Sequence, residues 1–215
     1  MELKPIQDGP LLIPDDPIEG IQQWVEAAKE IGQPEHTAMT LATVSTEGKP
    51  AARIVLLKGF STAASGAAKG RAGVEFYTNY ESRKSHEMTA NPNVALVFHW
   101  VMLRRQIRIE GVVSKVTPEE SDRYFQTRPR ESQIGAWASK QSQVIQSREE
   151  LVQRVDDARA RFGDDKIPCP PNWGGWRLIP SRVEFWEERP FRLHERHVKV
   201  YDSGTGSWRT ERLAP

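Results

Sequence analysis

Apolar positions in the first part of the chain recur with a helical period. Ile18, Ile21, Val25 and Ala28 fall on one face. Asp15 or Asp16 can cap that helix with Pro17 at its first position, which predicts a helix ending near Ile31. Residues 1–14 before it read as an irregular arm. After His36 the period shortens to two, with Met39 and Leu41 on one side of a strand Ala38–Ser45. Turn chemistry at Thr46–Pro50 and a strand Ala51–Lys58 make a hairpin. Gly59–Ala72 is rich in Gly, Ala and Ser and reads as a loop. Strands follow at Val74–Asn79, Val94–Trp100 and Gln106–Val116, with a short helix after Ser82 that Asn91-Pro92 stops. Thr117-Pro-Glu-Glu120 is a capping box opening a helix to about Gln126, and Ser147 with Glu150 opens another to about Phe162. A Pro-rich connector, Lys166–Trp173, leads to strands at Trp176–Ile179, Arg182–Glu187, Val198–Asp202 and Trp208–Leu213, the last two joined by Ser203–Gly206.

Short antiparallel strands with helices inserted singly predict a mainly β protein, a barrel with peripheral helices, over residues 15–215 as one domain. A parallel α/β sheet would need strict alternation. There is no internal repeat, no Walker A motif and no G-x-G-x-x-G fingerprint; Gly204 and Gly206 sit in a turn with no helix after it.

Composition narrows the partners. The 215 residues suffice for one full core, and the net charge of +1 lacks the basic excess of a nucleic-acid binder. The single cysteine, Cys169, cannot form an intrachain disulfide, and no Cys/His cluster has metal spacing. No apolar run approaches the ~18 residues of a membrane span, and Met1–Asp16 is acidic and Pro-bearing without a signal-peptide core. The expectation is a small-molecule partner, no nucleic acid, no membrane and a reducing cytoplasm.

The richest stretch is Arg128–Ser142, which gathers guanidinium, ammonium, hydroxyl, amide and indole groups with little apolar core between them. Such a mixture suits an anionic, aromatic ligand. Tyr124, Arg128 and Ser132 are four apart, and Pro129 turns the stripe they would form on a helix into a turn where they converge. Ser82-Arg83-Lys84 at a helix start suits a phosphate, or is an ordinary capped helix with two solvated cations. Arg53 and Lys58 end an apolar strand: they snorkel from a core strand, serve different groups, or meet through a bulge. Alternation puts Arg104, Gln106 and Arg108 on one strand face, and Arg192, His194 and Arg196 on another. The cation-and-hydroxyl groups suit two phosphates, and redox chemistry with such side chains needs a cofactor.

Together, Arg53-Ile-Val-Leu-Leu-Lys58, Tyr77-Thr-Asn79, Ser82-Arg-Lys84, Arg105-Gln106, Arg128-Pro-Arg through Ser139-Lys-Gln-Ser142, Trp173-Gly-Gly175, Glu184-Phe-Trp186 and Arg192-Leu-His194 with Arg196 resemble the pyridoxine/pyridoxamine 5′-phosphate oxidase family, from about Thr37 to Pro215. The resemblance implies an FMN-binding split β-barrel of Greek-key antiparallel type, working as a homodimer with FMN at the interface. It implies oxidation of pyridoxamine or pyridoxine 5′-phosphate, a small phosphorylated pyridine, to pyridoxal 5′-phosphate. Hydride passes from C4′ to flavin N5, and O2 reoxidises the flavin to give H2O2. By position, FMN contacts fall on Arg53, Ile54, Val55, Leu56, Leu57, Lys58, Tyr77, Thr78, Arg83, Lys84, Gln106, Gln141, Ser142, Trp186 and Arg196. Substrate contacts fall on Lys58, Tyr124, Arg128, Ser132, Arg192 and His194, with Arg192 and His194 as the catalytic pair. Trp137 matches no ligand contact and reads as packing.

Three departures stand out. Met1–Asp16 carries only Lys4 as a cation and no Tyr, where the family has an Arg-rich cover; Gly59–Ala72 is long; and Glu195 replaces a common Asp. Alternatives are a related FMN oxidase of the phenazine-pathway type and a non-catalytic flavin- or pyridoxal-phosphate-binding protein.

Overall fold

The computed structural model describes residues 9–61 and 71–215. Among them, helix α1 (Pro17–Glu30) starts where Asp16 Oδ1 accepts from the Ile18 N–H at 2.9 Å. Strands β1 (Ala38–Val44) and β2 (Pro50–Leu56) form the expected hairpin, with Met39, Leu41 and Thr43 turned inward. Next come β3 (Gly59–Ser61), β4 (Gly73–Asn79), α2 (Arg83–Ala90), β5 (Asn93–Trp100) and β6 (Arg105–Lys115). Helices α3 (Pro118–Gln126), α4 (Arg130–Ala138) and α5 (Arg148–Phe162) precede β7 (Trp173–Glu187), β8 (Glu195–Asp202) and β9 (Ser207–Arg212). The sheet runs β2-β1-β5-β6-β7-β4-β3, and every pairing in it is antiparallel. On its edge away from β6, β7 pairs with β4 through its first half and with β8 through its second, and β9 extends β8.

Two apolar clusters hold these parts. The larger lies between α1 and the inner sheet face and includes Ile21, Trp24, Leu41, Phe98, Ile107 and Phe185. Trp24 meets Phe185 edge-on at 5.2 Å. Gly20 permits that approach, since a Cβ there would lie 2.8 Å from the Phe185 ring. The smaller cluster joins α3, α4 and α5 to β7 through Phe125, Ile134, Ala158, Phe162, Ile167 and Trp173. Full burial of a side chain such as Phe125 or Ile134 contributes about 1.5–3 kcal/mol. This second cluster sets the position of the α3–α4 junction. Leu11 is buried in the larger cluster, so part of the irregular N-terminal segment packs on the core.

Several expectations are corrected. Pro129 ends α3 but also opens α4, a helix the sequence reading missed; its φ of −53° suits a helix start, and the Ser132 and Gln133 N–H groups both donate to its carbonyl. The two strands expected at Trp176–Ile179 and Arg182–Glu187 are one strand, because Ser181 bulges out opposite the Glu110–Gly111 step and pairing resumes beyond it. The expected loop Gly59–Ala72 begins with a short strand, β3, and residues 62–70 lie outside the described ones, as do residues 1–8. Strand β8 begins at Glu195, so Arg192, which ends a 3-10 turn (Pro190–Arg192), and His194, two residues later, precede the strand and do not share its face with Arg196. Arg104 occupies a turn at φ 55°, so only Gln106 and Arg108 share the face expected for all three.

Candidate active site

A cavity of about 960 Å³ opens between β2, the end of β4, the start of α2, the α3–α4 junction and the segment 139–142. It gathers Arg53, Ile54, Val55, Leu56 and Lys58 with Tyr77, Thr78, Arg83 and Lys84. Tyr124, Arg128, Ser132, Gln141 and Ser142 complete the predicted residues there. Arg53 and Lys58 both reach it because β2 stops at Leu56, and strand alternation no longer governs Lys58. Leu57 instead turns into the core, at 6% exposure.

One wall is an ion network. Arg53 donates to Thr43 Oγ1 at 2.5 Å and to Glu87 Oε2 at 3.1 Å, while Arg83 Nε donates to Glu87 Oε1 at 2.8 Å. Burial by itself raises the Glu87 carboxyl, but hydrogen bonds from Thr43, Arg83 and Arg53 outweigh it and hold the group below its ordinary value. Thr43 and Glu87 escaped the sequence reading. Glu87 lies one turn after Arg83 on α2, a spacing that could have flagged it.

Two cations, buried Lys84 and half-buried Arg128, lack any such partner among the described residues. Lys84 Nζ donates to Gln141 Oε1 at 3.0 Å and Ser82 Oγ at 3.1 Å and meets no carboxylate among the described residues. Burial first, and then the charge of Arg53, lower its pKa to about 8. Ser82 leaves the α2 start uncapped by its side chain, since its hydroxyl donates to the Asn79 carbonyl instead. Arg128 forms no ion pair among the described residues, and its Nη1 is buried without a hydrogen-bond partner. Its guanidinium lies 4.6 Å from the Trp173 ring centroid and 5.6 Å from that of Phe125. Burial lowers the Arg128 pKa and raises that of neighbouring Tyr124. Tyr77 stacks on Tyr124 at 4.0 Å and on Trp173 at 5.6 Å, and burial raises its phenol as well. A buried charge without a counter-charge is costly unless an anion joins it. The cavity therefore offers two cations without a counter-charge among the described residues, and an aromatic wall. These fit a flavin mononucleotide beside a phosphorylated ring, and Lys84 with the open α2 start would hold one phosphate.

The remaining predicted residues form a second group. Trp186 of β7 lies directly opposite Gln106 of β6 on one side and Arg196 of β8 on the other. His194 packs on Trp186 at 4.7 Å, and its Nδ1 accepts the Arg189 N–H at 3.2 Å, which leaves Nε2 to carry the ring proton. Arg196 Nε donates to buried Glu184 at 2.8 Å, and this bond, against some burial, raises its pKa. Phe191 and Arg192 take φ of 58° and 63°, two successive left-handed non-glycine residues. Such strain, of order 1–3 kcal/mol per residue, concentrates where geometry serves a site. Trp137 lies outside the cavity, packed on Phe162 at 5.3 Å.

The geometry has parallels among known proteins. Residues 25–162 match the family model described as pyridoxamine 5′-phosphate oxidase, and residues 173–215 match one described as the pyridoxine 5′-phosphate oxidase C-terminal dimerisation region. A pyridoxine/pyridoxamine 5′-phosphate oxidase of Microcystis aeruginosa is 51% identical over 93% of this chain and 89% of its own length. One from Burkholderia thailandensis is 52% identical over 89% of this chain and 86% of its own. Among solved structures, PhzG from Burkholderia lata, in complex with tetrahydrophenazine-1-carboxylic acid, superposes with a TM-score of 0.85 at 28% identity, covering 94% of both chains. A pyridoxamine 5′-phosphate oxidase-related, FMN binding protein from Nostoc punctiforme shares the fold, with a TM-score of 0.71 at 17% identity, over 95% of this chain and all of its own. The curled antiparallel sheet is thus a split barrel, and with about half its residues identical to the Microcystis aeruginosa and Burkholderia thailandensis oxidases over most of its length, the chain belongs to the pyridoxine/pyridoxamine 5′-phosphate oxidase family.

Proposed function

We propose that this protein binds FMN and oxidises pyridoxamine 5′-phosphate and pyridoxine 5′-phosphate to pyridoxal 5′-phosphate. The observation that carries this reading is the pair of cations, buried Lys84 and half-buried Arg128, that share one cavity without acid partners among the described residues. When bound, FMN would supply a two-electron acceptor for the hydride from substrate C4′, with O2 the final oxidant, taking two electrons and two protons to leave as H2O2. Lys84, Arg83 and the α2 start hold the FMN phosphate. Tyr124, Arg128 and Ser132 clamp the substrate phosphate. With the phosphate anchored, the ring is oriented for transfer, which needs close alignment more than acid–base strength.

Gln106, Trp186, His194 and Arg196 belong to this site only if a second chain brings them. Trp186 lies eleven positions beyond Gly175, the partner of Tyr77, which at about 3.3 Å per residue puts the two groups far apart along β7. We infer a homodimer in which each cavity is completed by the partner's second group, at an interface that includes FMN. The match of residues 173–215 to a dimerisation region supports this, as do Phe191 and Leu193, 93% and 67% exposed. Residues 15–215 act as one unit. No helix among the described residues is long and apolar enough to cross a membrane, and Cys169 is a free thiol, as suits the cytoplasm.

Purified protein should carry a flavin spectrum and release peroxide with either phosphorylated substrate. A flavin-loaded protein inert toward both, but active on a reduced phenazine carboxylate, would replace this reading with that of the PhzG neighbour.

A further inference from the structure

Resting on that reading, we propose that Trp173 is a positioning residue for the substrate-phosphate clamp, seating Arg128 on its indole face and tying the clamp to the flavin side through Tyr77. A half-buried guanidinium such as that of Arg128 ordinarily takes its orientation from a carboxylate. Arg128 has none among the described residues, and its Nη1 is free. What it has is the Trp173 ring, 4.6 Å from the guanidinium carbon, with Phe125 beyond at 5.6 Å. A π face attracts the cation without occupying its N–H donors, so those donors stay available to an anion. A carboxylate in the same place would neutralise the charge and compete with the phosphate.

The same indole is nearly parallel to Tyr124, at 6.1 Å and 8°, and to Tyr77, at 5.6 Å and 19°. Tyr77 and Tyr124 stack on each other at 4.0 Å. Two clamp residues and one residue of the flavin side therefore rest on one another, with Trp173 touching all three. Trp173 is itself fixed: it is 7% exposed, it opens β7, and it lies in the α3–α4–α5 cluster. The two glycines after it make the arrangement possible. A Cβ on Gly175 would fall 2.7 Å from the Tyr77 ring, and one on Gly174 would collide with the Tyr80 hydroxyl.

The test uses the FMN-loaded protein and two ligands, pyridoxal 5′-phosphate and pyridoxal, titrated by flavin fluorescence. Trp173→Leu is expected to weaken pyridoxal 5′-phosphate binding on the order of ten- to thirty-fold, leaving pyridoxal binding and FMN content unchanged. Trp173→Phe, which keeps a smaller ring in place, is expected to show a partial loss confined to the phosphorylated ligand, even if Trp173→Leu does not fold. In turnover the loss should appear in KM and leave kcat largely intact. An unchanged ratio of the two affinities in Trp173→Phe overturns the proposal, as does loss of FMN from that variant. A wild-type protein that binds pyridoxal 5′-phosphate yet oxidises neither substrate would sink the activity proposed above without touching this inference.

Discussion

Glu87 Oε2 lies 3.1 Å from Arg53 Nη2, and through it a carboxylate on helix α2 holds a cation of the edge strand β2 at the cavity wall. The other oxygen of Glu87 takes Arg83 at 2.8 Å, so one acid orients two cations. Glu87→Gln should loosen both, costing about 2 kcal/mol for lost charge-assisted hydrogen bonds. In a chain of this length the melting temperature would fall by roughly 4–8 °C in calorimetry. The carboxyl is depressed in the folded state, so its contribution is present above its ordinary value of 4.5 and fades as pH falls through the lower folded value. The gap between wild type and variant should therefore close in acid.

With the FMN phosphate proposed at Lys84, FMN binding should depend on pH. With a pKa near 8, Lys84 is charged below that value and neutral above, and a phosphate favours the charged form. FMN affinity, read by equilibrium fluorescence, should fall as pH rises through about 8, and Lys84→Met should flatten that slope. Stability of the FMN-free protein runs the other way. A lysine depressed on folding costs stability while it stays charged, and the cost is relieved between pH 8 and its ordinary 10.5. A pH-independent affinity would remove Lys84 from the phosphate site.

Arg128→Ala should raise KM for either phosphorylated substrate by about 10- to 100-fold, as expected for a charge-assisted hydrogen-bond donor. FMN content should not change. Release of FMN by this variant would place the cofactor phosphate, not the substrate phosphate, at Arg128.

Gly175→Ala puts a methyl group 2.7 Å from both the Tyr77 ring and Val116. Overpacking of this kind costs about 1–3 kcal/mol, and displacement of Tyr77 should weaken FMN binding in the same titration. Gly135→Ala is the contrasting case: nothing lies within 4 Å of the added carbon, and α4 gains up to about 1 kcal/mol of helix propensity. Equal effects at the two positions would show that Tyr77 is not held by contact with β7.

Subunit mixing tests the shared site. Lys84→Ala and Trp186→Ala should each lower FMN content alone. A dimer with one chain of each kind has one doubly defective site and one intact site, so half of the FMN capacity should return. Mixed dimers that bind no more FMN than the parents would confine each site to a single chain.

Local signals were legible where local physics decides. The capping box at Thr117–Glu120 is formed as read, because its hydrogen bonds close within four residues. The β1–β2 hairpin follows from turn chemistry and alternation in the same way. Helix α4 was hidden because Pro129 reads equally as a stop and a start, and the helix is held by Ile134 in a cluster that includes Phe162 and Trp173, which lie far from it in sequence. The continuity of β7 was hidden because Pro180 and Ser181 look like a break until β6 pairs on both sides of the bulge.

Taken by itself, the sequence determined that the chain is mainly β with single inserted helices, and it singled out the cations that line the cavity and several of its hydroxyls and rings, though it did not assign Trp173 to it, because periodicity, capping and motif order are properties of neighbouring residues. Only the tertiary structure decided which cations are neutralised. Glu87 pairs Arg53 across 34 positions, while buried Lys84 and half-buried Arg128 meet no acid among the described residues. That difference depends on which distant side chains share a wall and how little water reaches them, and neither is written in any local stretch of sequence.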